Sequence, residues 1–185
     1  MGKLHESITP ALEQWIQEQK VFFVSTAPLS GEGHINCSPK GLDSLRITGT
    51  HSVVYQDLTG SGIETIAHVR ENGRILIMLC AFDGPPKIVR LHGTGTIITP
   101  GHPDYVQYDN LFPARLGTRA YIHIKVSRIS DSCGYSVPLY DFRKDRDVLD
   151  KWSANKGEEG IKAYRSQKNR FSIDGLPGLD NEELS

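Results

Sequence analysis

Short apolar runs follow one another from Val21 to Ile129, and only one segment of helical length lies between the central ones. That spacing predicts six or seven short strands bounded by Gly, Pro, Asn and Ser turns. A parallel βαβ sheet would need a helix after nearly every strand, so that architecture is excluded. The chain is expected to be mainly β with peripheral helices, its antiparallel strands closing fully or partly into a barrel. A barrel this small is filled by its own side chains, so a ligand binds outside it or at an interface.

Individual elements can be placed along the chain. Thr9 to Gln19 reads as a helix with Pro10 at its first position and Leu12, Trp15 and Ile16 on one face. Val21 to Thr26 and His34 to Ser38 read as a hairpin joined by the LSGEG turn. Leu45 to Thr48 and Ser52 to Gln56 are two further strands. Ile63 to Asn72 reads as a helix that Asn72-Gly73 ends. Arg74 to Phe82 is apolar enough for a central strand, and Lys87 to Thr99 is a long strand bent at Gly93 and Gly95. His102 to Leu111 reads as helical. From Arg119 to Ile129 the pattern alternates, with Ile122, Ile124 and Val126 facing one way and Tyr121, His123 and Lys125 the other. Asp145 to Asn169 reads as a polar helix anchored by Leu149 and Trp152, and the last sixteen residues as an extended tail. The division is a barrel domain over 1–140 and a C-terminal helical extension and tail over 141–185.

Charge and composition narrow the function. A net charge of −1 gives no basic footprint for nucleic acid. No apolar stretch reaches membrane-spanning length, and MGKLHES is too polar for a signal peptide, so a cytoplasmic protein is expected. Glu6 stands where a myristoylation motif needs Ser or Thr. Cys37, Cys80 and Cys133 form no CxxC, and the expectation is three free thiols, mostly buried in strands. The seven histidines show neither HxH nor HExxH, so no metal site is expected. There is no GxSxG elbow and no paired-carboxylate motif, so no catalytic side chain can be nominated.

Two turns carry the chemistry. In the SPKG turn, Ser38, Lys40 and Gly41 offer a hydroxyl, an ammonium and a close backbone approach. In the TGSG turn, Thr59 to Gly62 leads into a helix, whose free N–H groups and dipole favour a phosphate. A rival reading is local: Ser61 and Glu64 match a capping box, which would satisfy the same amides without a ligand. The glycines around Thr94 lack the GxGxxG spacing, and Arg90 projects to the same strand face as Ile88.

Four segments in order, SPKG at Ser38 to Gly41, DLTGSGIET at Asp57 to Thr65, GPPKIVRLHGTG at Gly84 to Gly95 and CGYSVP at Cys133 to Pro138, resemble the FMN-binding split-barrel family of pyridoxamine 5′-phosphate oxidase. The likeness is to a branch that shares all four and covers Phe22 to Pro138. It implies a six-stranded split barrel that forms a homodimer with FMN in a groove at the interface. It further implies that Ser38, Lys40, Ser61 and Thr65 hold the ribityl phosphate, with Gly41, Thr59 and Gly62 shaping the two turns. Arg90 would touch the flavin or its ribityl chain, and Tyr135 and Ser136 would cover the isoalloxazine. The resemblance implies an oxidoreductase acting on a small organic molecule. The alternatives are a flavin protein without turnover, or a relative that binds F420 or haem, with His92 or His123 recruited as haem ligand. The oxidase itself has Ser-Arg-Lys at the turn-helix. Here Gly62 and Ile63 follow Ser61, and no Arg- and His-rich segment closes the chain, so vitamin B6 phosphate oxidation is not expected.

Overall fold

The computed structural model describes residues 2–184. Its strands are β1 (Leu4–His5), β2 (Phe22–Thr26), β3 (Asn36–Lys40), β4 (Leu45–Gly49), β5 (Ser52–Leu58), β6 (Arg74–Cys80), β7 (Ile88–Ile98) and β8 (Thr118–Ser132). Its helices are α1 (Pro10–Glu18), α2 (Glu64–Asn72), α3 (Tyr105–Asp109), α4 (Val148–Lys168) and α5 (Asn181–Leu184). All eight strands join one antiparallel sheet in the order β3-β2-β6-β7-β8-β5-β4, with β1 on β8. The resemblance had implied six strands. The sheet has two more, one of them the short β1, where Leu4 faces Ser130 and His5 faces Ile129.

The alternating pattern of β8 resolves as expected. Ile122, Ile124 and Val126 enter the main core with Val24, Val53, Ile77 and Leu91. Tyr121 faces the other way and is sealed beneath α3 by Tyr108 and Phe112. The β7–β8 register shifts at His92/Gly93. A Cβ on Gly93 would lie 2.3 Å from the Lys125 carbonyl oxygen, so glycine is required by close approach of the neighbouring strand.

Helix α1 is capped by Thr9, whose hydroxyl accepts from Leu12 N–H at 3.3 Å. It packs Leu12 and Ile16 on the core, with Trp15 half-buried against it. Gly73 ends α2 at φ 72°, the left-handed conformation that glycine adopts without strain.

Several expectations are corrected. Ser38, Pro39 and Lys40 continue β3 and only Gly41 leaves it, so SPKG is chiefly strand. Proline is tolerated there because β3 lies at the end of the sheet path, where its missing N–H breaks no ladder. The C-terminal helix α4 is broken at Gly157 (φ 66°). Residues 170–184 are not an extended tail: Phe171 and Pro177 pair, α5 follows, and Leu179 and Leu184 are buried in the main core. Of the three thiols only Cys80 is buried; Cys37 and Cys133 are exposed. The core face of β3 is taken by Asn36, Ser38 and Lys40, opposite Thr26, Val24 and Phe22, and this turns Cys37 outward.

Candidate functional site

The end of β3 and the start of α2 meet on the inner side of the sheet. Lys40 Nζ reaches Asp57 Oδ1 of β5 at 3.4 Å. Asp57 also accepts from Arg119 Nε and Nη2 of β8 at 2.8 Å each. The carboxylate is 1% exposed and the guanidinium 4% exposed. Burial alone would raise the Asp57 carboxyl; Arg119 and Lys40 more than offset this and hold it below the usual carboxylate range. Arg119 Nη1 then donates to the Gly62 carbonyl at 2.9 Å, which ties the charge cluster to the TGSG turn.

A second chain of hydrogen bonds lies along β3. Ser38 Oγ donates to Asn36 Oδ1 (3.0 Å), and Asn36 Nδ2 donates to Thr65 Oγ1 (3.0 Å) and Thr26 Oγ1 (3.4 Å). Thr26 Oγ1 lies 2.9 Å from His68 Nδ1. His68 is fully buried on α2, and burial pushes its imidazole below its ordinary pKa despite Asp174, Glu64 and Glu71 nearby.

The start of α2 decides between the two sequence readings. Among the described residues no side chain caps the helix, and the cap position is Ile63 rather than Ser61. Ser61 is exposed, and the Glu64 carboxylate accepts from Ile173 N–H at 3.3 Å instead of reaching back to Ser61. The capping box is therefore not formed. The amides of Ser61, Gly62 and Ile63 have no hydrogen-bond partner among the described residues. Among the described residues six buried side-chain polar atoms lack a partner, and three belong to this region: Tyr55 OH, His68 Nε2 and Asn169 Oδ1. Buried groups of this kind are normally bonded, so their concentration here marks a place where a ligand or water completes the network. Tyr55 has Asp57, Arg119 and Thr65 as polar neighbours; burial and Asp57 raise its phenol well above its ordinary pKa.

The charge balance is positive. Lys40, Arg119 and Arg165 of α4 converge on the turn; Asp57 neutralises one of them and Glu64 at the helix start offsets another. Beside Lys40 lies a 600 Å³ pocket lined by Val21, Pro39, Leu42, Lys144, Arg146 and Trp152 among others. The loop after Lys40 runs through two left-handed residues, Leu42 (φ 60°) and Asp43 (φ 54°), held by Arg46 on the Asp43 carboxylate at 2.9 Å. Non-glycine residues in this conformation are strained and concentrate at binding sites.

The structure thus brings Ser38, Lys40, Gly41, Ser61, Gly62 and Thr65 to one region. Thr59 serves as a brace: it is buried, accepts from Arg165 Nε at 2.9 Å and donates to the Gly117 carbonyl at 2.9 Å. Arg90, Tyr135 and Ser136 lie elsewhere in the chain. Arg90 is on the opposite face of the sheet, with Nη1 donating to Ser132 Oγ at 2.9 Å. Tyr135 is 82% exposed on the rim of a separate 970 Å³ cleft with Trp15, Phe82, Tyr140 and Phe142. His123 stacks on Tyr108 at 5.5 Å, and no group of metal-binding side chains forms among the described residues.

The sequence reading missed Tyr55, Asp57, Arg119, Arg165 and Asn169. Two carried a signal. Asp57 closes the apolar run SVVYQDL and Arg119 heads the alternating strand, and a charge in a buried strand requires a partner. Arg165 and Asn169, in a polar helix, carried none.

A model of the pyridoxamine 5′-phosphate oxidase family matches residues 8–133. The chain is 39% identical to a pyridoxamine 5′-phosphate oxidase family protein, ustO, from Aspergillus flavus, over 97% of this chain and 78% of the relative. Among solved structures it is similar to HupZ of Group A Streptococcus, with a TM-score of 0.54 and 23% identity over 72% of this chain and 99% of that one. A histidine-to-alanine variant of HupZ gives the same TM-score of 0.54 at 24% identity, over 68% of this chain and 99% of that one. At that identity the likeness concerns the fold alone.

Proposed function

The chain belongs to the pyridoxamine 5′-phosphate oxidase family, and from that premise we propose that it binds FMN and works as an oxidoreductase on a small organic substrate. The observation that carries the reading is the uncapped TGSG turn with Lys40 and Arg119 beside it. A phosphate monoester brings about two negative charges and three acceptor oxygens. The turn offers unpartnered amides, a helix dipole and a surplus of cations, so the residues present fit that group. Arg119 supplies from β8 a guanidinium that the turn itself lacks.

Bound FMN would supply the redox chemistry. The chain's own part is to hold the phosphate with Lys40 and the Ser61–Ile63 amides, and to shape a pocket from Val21, Pro39, Leu42 and Trp152 beside it. A homodimer with the flavin in a groove between the copies suits the half-buried outer sheet face, where Phe23, Met78 and the exposed Ile35 lack cover. A cytoplasmic location remains the expectation from the sequence. A second reading, flavin binding without turnover, is favoured by one observation. Tyr55 and His68, the titratable groups with orphaned atoms beside the turn, are sealed from solvent and cannot exchange protons with a substrate directly.

The test is calorimetric titration of FMN and riboflavin into the purified chain and into Lys40→Met. FMN binds and riboflavin binds more weakly. Lys40→Met loses about tenfold or more in FMN affinity, the value of one charge-assisted contact, and leaves riboflavin unchanged. Equal affinity for FMN in both proteins would refute the placement of the phosphate. Anaerobic mixing of the flavin-loaded protein with NADH or NADPH separates turnover from storage.

A further inference from the structure

We infer that the C-terminal segment is a working part of the anion turn, with Arg165 and Asn169 as its positioning residues. The identity of the anion rests on the FMN reading; the roles of these two residues go beyond it.

In a trans peptide the C=O and N–H of one unit point in opposite directions. Asn169 is fully buried and its Nδ2 donates to the Gly60 carbonyl at 3.0 Å. That bond pins the Gly60–Ser61 peptide and turns the Ser61 N–H away from α4. Arg119 does the same at Gly62, turning the Ile63 N–H away from itself. Both of these amides are unpartnered, and both have their peptide carbonyls held from behind.

Arg165 completes the brace. Its Nε donates to Thr59 Oγ1 (2.9 Å) and its Nη2 to the Thr118 carbonyl (2.7 Å), while Nη1 has no partner among the described residues. The guanidinium is therefore held beside Arg119 with donor capacity to spare. Burial and the neighbouring Arg119 charge both lower its pKa, a repulsion that an anion at the turn would relieve.

The rest of the segment clamps this arrangement in place. Ile173 N–H binds the Glu64 carboxylate, Asp174 pairs with His34 at 2.6 Å, and Arg70 bonds the Gly178 carbonyl and pairs with Glu183. These contacts hold both ends of α2 and the hairpin turn that leads into β3. They lie beyond the region that the family model matches, whereas the Aspergillus relative aligns over 97% of this chain.

The test uses the full chain and three variants, Arg165→Met, Arg165→Lys and Asn169→Ala, each checked by thermal melting. Affinities for FMN, riboflavin and inorganic phosphate are measured by calorimetry. Arg165→Met and Asn169→Ala are expected to weaken FMN and phosphate about tenfold and leave riboflavin unchanged, with partial recovery in Arg165→Lys. A purely structural role would weaken all three ligands alike, and that result overturns the inference. So does wild-type FMN affinity in every variant, which leaves the FMN reading standing. Arg165-dependent binding of phosphate without binding of FMN would keep the inference and remove the FMN reading. A chain that binds neither refutes both. Should Arg165→Met fail to fold, Arg165→Lys and Asn169→Ala decide the matter.

Discussion

Asp57→Asn tests the centre of the charge cluster. Asp57 receives Arg119 at 2.8 Å and Lys40 at 3.4 Å, and the Asp57–Arg119 pair is almost entirely buried. An exposed ion pair contributes at most about 1 kcal/mol. Removing one partner of a buried pair costs roughly 3–5 kcal/mol, because the other charge is left without compensation. Burial places this pair in the second class. With a slope of about 2.5 kcal/mol/M, the urea midpoint of the ligand-free chain should fall by about 1–2 M. A shift smaller than ~0.4 M, the size of an exposed pair, would refute the reasoning. The pH dependence supplies an independent check. Because the folded pKa of Asp57 is depressed, its contribution is fully present above the unfolded value of about 3.9 and is lost as pH falls through the folded value. The gap between wild type and variant should therefore close in strong acid. The variant also carries one more uncompensated cation beside the turn, so phosphate should raise its melting temperature more than that of wild type.

Three other perturbations probe neighbouring features. Tyr55→Phe removes a fully buried hydroxyl with no hydrogen-bond partner among the described residues, so the chain should be as stable or gain about 1 kcal/mol, read by thermal melting. For His68 the buried imidazole has a lowered pKa, so stability falls as pH drops below about 6.5 towards the folded value; His68→Gln should flatten that slope in urea titrations across the range. Gly178→Ala sets a Cβ 2.4 Å from the Asn169 carbonyl oxygen and 2.6 Å from Ile63 Cγ1, which should cost about 1–3 kcal/mol and open residues 170–184 to limited proteolysis.

Most strands and the helices α1 and α2 were legible because their signals are local. The alternation of Ile122, Ile124 and Val126 is a two-residue period that only a half-buried strand satisfies. The Asn72-Gly73 stop and the Thr9-Pro10 start of α1 likewise depend on neighbouring residues alone. Ser38-Pro39-Lys40 misled because proline normally punctuates a loop; only the position of β3 at the end of the sheet path makes it acceptable in a strand. Ser61 and Glu64 have capping-box spacing, yet Glu64 is drawn to Ile173, over a hundred residues away. The polar composition of 170–184 suggested a tail, and it hid two buried leucines, Leu179 and Leu184, that bind the segment to the core.

By itself the sequence determined an antiparallel β architecture, the helix that follows the TGSG turn, and Lys40 and Ser61 as the first residues to consider for an anion. Each follows from periodicity or from chemistry carried within a few positions. Tertiary structure alone decided that Asp57 and Arg119 form a buried pair behind that turn, that its amides stay uncapped, and that Arg165 and Asn169 hold it from the far end of the chain. The physical reason is that the partner of a buried charge or carbonyl is selected by proximity in the folded chain. Sequence spacing carries no information about a contact made across sixty or a hundred residues.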